Sequence, residues 1–242
     1  MRRTLLYVCI GMLLASGSAW AQGPPHRRAG LATADESGAF RFRLGFFEPD
    51  GGSEYWNESE MYFTGGAEDM GDLLGALEYV RRISSNSSVV FTAGFWDGDT
   101  DQAYRDWVDD AGYSITHTTT LEMTQLTAAW VVDLAHRPAA VVPYLGVGGG
   151  LYFWKLREEG HFIDFGEDPA TIVLARYEDD GVAPGVFAVG GLELMVSPGW
   201  SWLAEVRYHW VSDEVGSGFT GTHSMDLDLS GYEVSAGISW RF

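Results

Sequence analysis

Three carboxylates at alternate positions, Asp97, Asp99 and Asp101, with Asp106, Asp109 and Asp110 close behind, form the densest candidate site in this 242-residue chain. Hard cations such as calcium take several carboxylate oxygens from a compact turn, so alternating aspartates are a calcium-type pattern. The spacing departs from an EF-hand loop, because Gln102 and Val108 stand where that loop needs its Gly and its Glu. A solvated acidic loop is the plainer reading. Glu158, Glu159, Asp164, Glu167 and Asp168, followed by Glu178, Asp179 and Asp180, pose the same choice. A base and a nucleophile come nearest in His209 and Ser212, but a spacing of three puts them on opposite faces of a regular strand. Geometry precedes chemistry in such assignments, so no catalytic pair is read here. His117, His161 and His223 lie far apart in the chain, without the short spacing of a metal site. The glycine runs at 148–150 and 190–191 carry no phosphate-loop lysine and read as places where a large neighbour packs across a strand.

The elements that hold these residues are β-strands. Segments 39–48, 72–82, 87–96, 120–134, 139–156, 182–196, 200–212 and 229–242 alternate in side-chain character. Short connections at 83–86, 135–138 and 197–199 alternate strictly with long ones at 49–71, 97–119, 157–181 and 213–228. An even strand number with tight turns on one side and long loops on the other predicts an all-β, eight-stranded antiparallel up-and-down transmembrane β-barrel. In the last segment Tyr232, Val234, Ala236, Ile238, Trp240 and Phe242 share one face, and Glu233, Ser235, Ser239 and Arg241 the other. The apolar face is too aromatic to be left to water, and the charged face cannot line an oily cavity. The pattern is therefore inverted relative to a soluble barrel, with lipid as the outer solvent.

Residues 1–21 carry a basic start, an apolar core and small residues at Ala19 and Ala21, which reads as a cleaved secretory signal. Residues 22–37 read as a flexible lead and 38–242 as the barrel domain. The one cysteine, Cys9, leaves with the signal, so thiol chemistry and disulfides are excluded. Losing Arg2 and Arg3 takes the 15 basic residues to 13 against 34 acidic ones, and 13 − 34 = −21. That balance excludes nucleic acid as a partner.

The signal-like start, PYLGVGGG at 143–150 and the ending YEVSAGISWRF at 232–242 resemble the small outer-membrane β-barrel proteins of Gram-negative bacteria, over the whole length from about residue 38. The resemblance implies an outer-membrane location, lipid and lipopolysaccharide as surroundings, and an assembly signal in Tyr232, Trp240 and Phe242 read by the barrel assembly machinery. It leaves function open, since that family spans anchors, adhesins, channels and lipid-modifying enzymes.

Ten charged residues are expected to point into the lumen: Arg41, Arg43, Glu78, Arg82, Asp133, Glu193, Glu205, Arg207, Glu233 and Arg241. Charges buried in so narrow a barrel must pair, which favours an ionic core over a wide pore. The first reading is a monomeric, non-enzymatic scaffold with a plugged lumen that displays acidic loops, with no cofactor beyond a calcium ion in one loop. The second is a narrow gated conduit in which Trp56, Trp96, Trp107 and Trp154 collect an apolar solute. The third is a lipid A-modifying enzyme. The segment 55–63, aromatic and acidic together, is read as lying on the membrane surface or covering the barrel mouth.

Overall fold

Strict alternation of large apolar with polar residues dictates strands whose two faces meet different solvents, and the chain between Gly38 and Arg241 is built mainly of them. The computed structural model describes residues 38–135, 139–166, 168–220 and 223–242. The signal and lead read at 1–37, and most of the connection at 135–138, lie outside the described residues. The strands are β1 Gly38–Pro49, β2 Asp72–Arg82, β3 Ser87–Val108, β4 Ser114–Asp133, β5 Val141–Asp164, β6 Thr171–Ser197, β7 Trp200–Val215, β8 Met225–Asp228 and β9 Gly231–Arg241. Each neighbouring pair is antiparallel. The ring closes through β1 with β9, β9 with β7 and β7 with β6, leaving β8 as a short strand on β7 alone.

The eight expected segments therefore form the eight-stranded barrel, and four of them, β3 to β6, run on by five residues or more beyond the sequence reading. The stretches 97–119 and 157–181 are not loops. They continue β3, β4, β5 and β6 upward as paired hairpins, with Gln102 opposite His117 and Glu159 opposite Arg176. Alternation persists through them: Gln102, Thr100, His117, Thr119 and Leu121 are buried while Asp99, Asp101 and Glu159 are exposed. Polar composition hid the strands, since a wet strand and a loop differ only in that period.

Two helices also escaped the reading, α1 Glu54–Tyr62 and α2 Ser217–Thr220. Segment 55–63 covers the mouth: α1 drives Tyr55 and Trp56 down into the barrel, with Trp56 at 0% exposure.

The outer face carries an apolar belt of Phe40, Phe42, Leu44, Leu77, Leu126, Val147, Val186, Trp202, Val206 and Trp240, all exposed. Aromatic groups mark its two rims. Trp200 stacks on Trp240 and Phe242 on Phe40 at one end, and Tyr208 meets Tyr232 at the other. Such girdles sit where lipid meets water. No helix among the described residues is long and apolar enough to cross a membrane, and the crossing is made by strands.

Candidate functional site

The inward rows of the strands fill the lumen at two levels. The level nearer the Phe242 end is mixed: a small apolar cluster of Ala39, Val80, Val90, Ala129, Val131, Tyr144, Phe187 and Val189 lies among charged groups, with Ala39 opposite Arg241 and Val189 opposite Arg207. Gly148 makes room for it, because a Cβ there would lie 2.6 Å from the Phe187 ring. The glycine run thus accommodates a large neighbour across the strand.

At the same level lies a charged band. Arg41, Arg43, Arg207 and Arg241 face Glu78, Glu193, Glu205 and Glu233, all buried, four of each sign in a strongly acidic protein. Arg43 sits at its centre: Nε donates to Glu78 at 2.9 Å, and Nη1 to Glu233 and to Ser235 Oγ. Arg207 bridges Glu78 and Glu205, Arg241 pairs with Glu193, and Arg41 lies within 3.5–3.8 Å of Glu193, Glu205 and Glu78. At the periplasmic edge Arg82 and Asp133 stand 3.7 Å apart, Asp133 buried and Arg82 half-buried. His209, 1% exposed, hydrogen-bonds Tyr152 at 2.9 Å and Glu233 at 3.3 Å, whereas Ser212 is exposed on the opposite face. The two do not meet.

The upper level is the one the sequence reading missed. Phe47, Leu74, Trp96, Leu121, Met123, Tyr152, Trp154, Leu156, Val211, Val215 and Leu227 form a large apolar core in the outer half of the barrel, sealed by Tyr55, Trp56 and Met70. Of the four tryptophans read as loop collectors, Trp56, Trp96 and Trp154 are packed inside this core, and Trp107 is partly exposed at a hairpin tip against Phe165. The signal was present in the sequence, as the inward register of β4 and β5 simply continues into Leu121 and Leu156.

Polar contacts pin α1 over this core. The Tyr55 hydroxyl donates to Glu158 at 2.6 Å, Trp56 Nε1 to the Asp228 carbonyl at 3.2 Å, and Gln102 Nε2 to Ser59 Oγ at 3.2 Å. Burial raises the Glu158 carboxyl above its ordinary range even though Tyr55 donates to it, and burial with the neighbouring Glu158 pushes the Tyr55 hydroxyl well up. Gln102 in turn accepts from Thr119 at 2.6 Å and meets His117 Nε2 at 3.0 Å. Gly160, at φ +150°, lies opposite His117, where a Cβ would come within 2.5 Å of the His117 Cα.

Burial among Phe63, Phe162 and Gln102 lowers His117 to about 4. Because the folded value lies below the ordinary 6.5, the stability tied to a neutral ring is complete above pH 6.5 and is lost as pH falls toward 4. We expect the His117 ring resonances, followed by NMR, to titrate near pH 4. A midpoint above about 6 would mean that water reaches the ring.

The other sequence candidates stay apart. Asp97, Asp99 and Asp101 lie on the outer face of β3, exposed, each roughly 7 Å from the next along an extended strand. They do not converge as a compact turn would make them, and Asp101 accepts from Thr118 Oγ1 at 2.8 Å. Among the described residues no group of three metal-binding side chains comes together. His161 and His223 are exposed, His223 beside Glu54 at 3.4 Å, and although His161 follows Gly160, the strand partner of His117, it is exposed on the opposite face from buried His117. Of the third acidic stretch, Glu158 is buried under α1 and Glu178 is exposed, held down to about 2 by hydrogen bonds from Lys155 and Arg176, while Glu167 lies outside the described residues. Tyr232, Trp240 and Phe242 all point outward from β9 or its end.

No family model and no curated protein matches the sequence. Solved structures do match. The outer membrane protein OprG of Pseudomonas aeruginosa superposes with a TM-score of 0.52 at 12% identity, over 86% of this chain and 97% of that one. Neisserial surface protein A gives 0.44 at 14% identity, over 85% and 96%. The outer membrane protease OmpT of Escherichia coli gives 0.41 at 8%, over 86% and 94%. Strand count, closure, lipid-facing belt and the likeness to OprG agree: this chain has the fold of the small outer-membrane β-barrel proteins.

Proposed function

We propose that the chain is a closed, non-enzymatic outer-membrane scaffold that presents its tall acidic hairpins to the outside and passes no solute. The observation carrying this reading is the layered filling of the lumen, a balanced Arg and Glu band beneath a sealed apolar core with Trp56 fully buried. Eight strands leave space for side chains or one small ligand, and here side chains take it. A conduit needs a polar or gated path, and neither layer offers one: water is costly in the apolar core, and the charges below are already paired. An enzyme needs a positioned base and nucleophile, whereas His209 is buried with Glu233 and Tyr152. Lipid and lipopolysaccharide then surround the belt, and the outward Tyr232, Trp240 and Phe242 serve as the signal for barrel assembly. The protein acts as a monomer.

Reconstituted in planar bilayers, it is expected to give no steady single-channel current. A stable conductance step would overturn the closed-scaffold reading. Lipid A from cells with and without the protein is expected to be identical, and a changed acylation pattern would restore the enzyme.

A further inference from the structure

Tyr55, Trp56 and Ser59 form the buried face of α1, and the opposite face, turned away from the barrel, lines an open cleft of about 600 Å³. That volume lies in the range of small-molecule sites. Residues four apart on a helix are neighbours, so Glu54 and Glu58 set two carboxylates along the cleft one turn apart, roughly 6 Å along the axis. Asp226 on β8 adds a third. Among the described residues the Glu58 and Asp226 carboxylates have no partner, and Glu54 meets the His223 ring at 3.4 Å. Like charges four apart weaken a helix, and α1 carries no basic residue in its last turn to offset them. A cation from outside the chain would.

Ser53 points to a ligand independently of the acids. It stands where a serine ordinarily caps the first helical turn, yet it makes no capping bond. It is the one buried residue lining the cleft, 2% exposed, and its Oγ has no hydrogen-bond partner. A buried hydroxyl left alone is costly, and an amine bound in the cleft supplies the donor that its lone pairs lack.

We propose that this cleft binds an aliphatic polyamine, with its ammonium groups on Glu54, Glu58 and Asp226 and an N–H donated to Ser53 Oγ. A bare metal ion is the wrong ligand, because among the described residues no group of three metal-binding side chains comes together. Carboxylates spread around a cleft instead match an extended ligand whose ammonium groups are joined by methylene chains. Met61 and Tyr62, 66% and 43% exposed, offer the methylenes apolar surface, and the Asn57 side chain offers a further acceptor. Glu54 in the first turn offsets the positive end of the helix, which would otherwise repel a cation. A polyamine held between α1 and β8 also fastens the cover over the barrel mouth, since a ligand stabilises the state it binds.

The site lies outside the lumen and goes beyond the closed-scaffold reading, since neither a conducting nor a silent barrel alters it. The full chain in nanodiscs of zwitterionic lipid is titrated with spermidine by calorimetry at fixed ionic strength, while the Met61 methyl resonance is followed by NMR. Saturable binding at one site is expected, with a shift of that resonance. Glu58→Gln combined with Asp226→Asn is expected to weaken binding by about tenfold or more. Ser53→Ala is expected to weaken it by about threefold or more through the lost acceptor. Asp99→Asn, which neutralises an exposed acid on β3, is expected to leave it unchanged. Magnesium at the same ionic strength is expected not to displace spermidine. Displacement by magnesium, undiminished binding to the double variant, or heat without saturation would reduce the cleft to a diffuse acidic surface and overturn the site. Binding of a lysine-rich peptide with none of spermidine would overturn it in favour of a basic protein segment.

Discussion

Replacing Arg43 with Met is expected to cost about 3–5 kcal/mol of folding stability, the range for breaking a buried ion pair from one side. The methionine fills similar volume, so little of the loss comes from packing. The cost arises because Glu78 and Glu233, both fully or nearly fully buried, lose the cation that lies between them. Arg207 still reaches Glu78 but already serves Glu205, and Glu233 keeps His209 as a hydrogen-bond partner. Adding Glu233→Gln to Arg43→Met is expected to recover a large part of the loss, because a neutral amide needs no counter-charge. Urea unfolding in detergent micelles, followed by tryptophan fluorescence, measures both. A single-variant cost below about 1 kcal/mol, as exposed pairs give, would mean that the band is hydrated and the lumen open to water.

The same residue shows how far the sequence could be read. Arg41 and Arg43 alternate with Phe40, Phe42 and Leu44, and that period alone assigns each to the inside or the outside of a closed sheet. Charge then requires a partner of opposite sign at the same height, which is why Glu78, Glu193, Glu205, Arg207 and Glu233 were all nameable before their distances were known. What the period cannot give is height. Trp154 and Leu156 share the inward row of β5, but only the register with β4, Met123 opposite Trp154 and Leu121 opposite Leu156, places them above the ions. The apolar cap was illegible for a second reason. Trp56 lies in a short acidic helix whose single buried turn has no periodicity of its own, and its burial comes from a cluster that also holds Met70 and Leu227, distant in the chain. The aspartates at 97, 99 and 101 misled in the opposite sense. Acid content suggested a loop, while β3 continues through them because Gly98, Thr100 and Gln102 fill the inward row.

Leu44→Arg tests the inversion on which the membrane placement depends. Leu44 lies opposite Ala236, midway between the aromatic rims at Tyr232 and Trp240, and is 57% exposed. In water an exposed Leu to Arg change on a strand is nearly neutral, typically within about 0.5 kcal/mol. At the midplane of a bilayer the guanidinium must leave water or drag water with it, and the cost rises to about 2–4 kcal/mol. The matched control is Leu174→Arg. That residue is still more exposed, on the outer face of β6, but lies well above the belt beyond Asp180 and Glu178. Its substitution is expected to leave stability nearly unchanged. Reversible unfolding from lipid vesicles reads the difference between the two variants, so the intrinsic preference of Arg for a strand cancels. A difference near zero would make water the solvent of Phe42, Leu44 and Trp202. The apolar face would then have to be covered by protein, whereas a difference of the expected size leaves lipid as the medium in which this alternation folds.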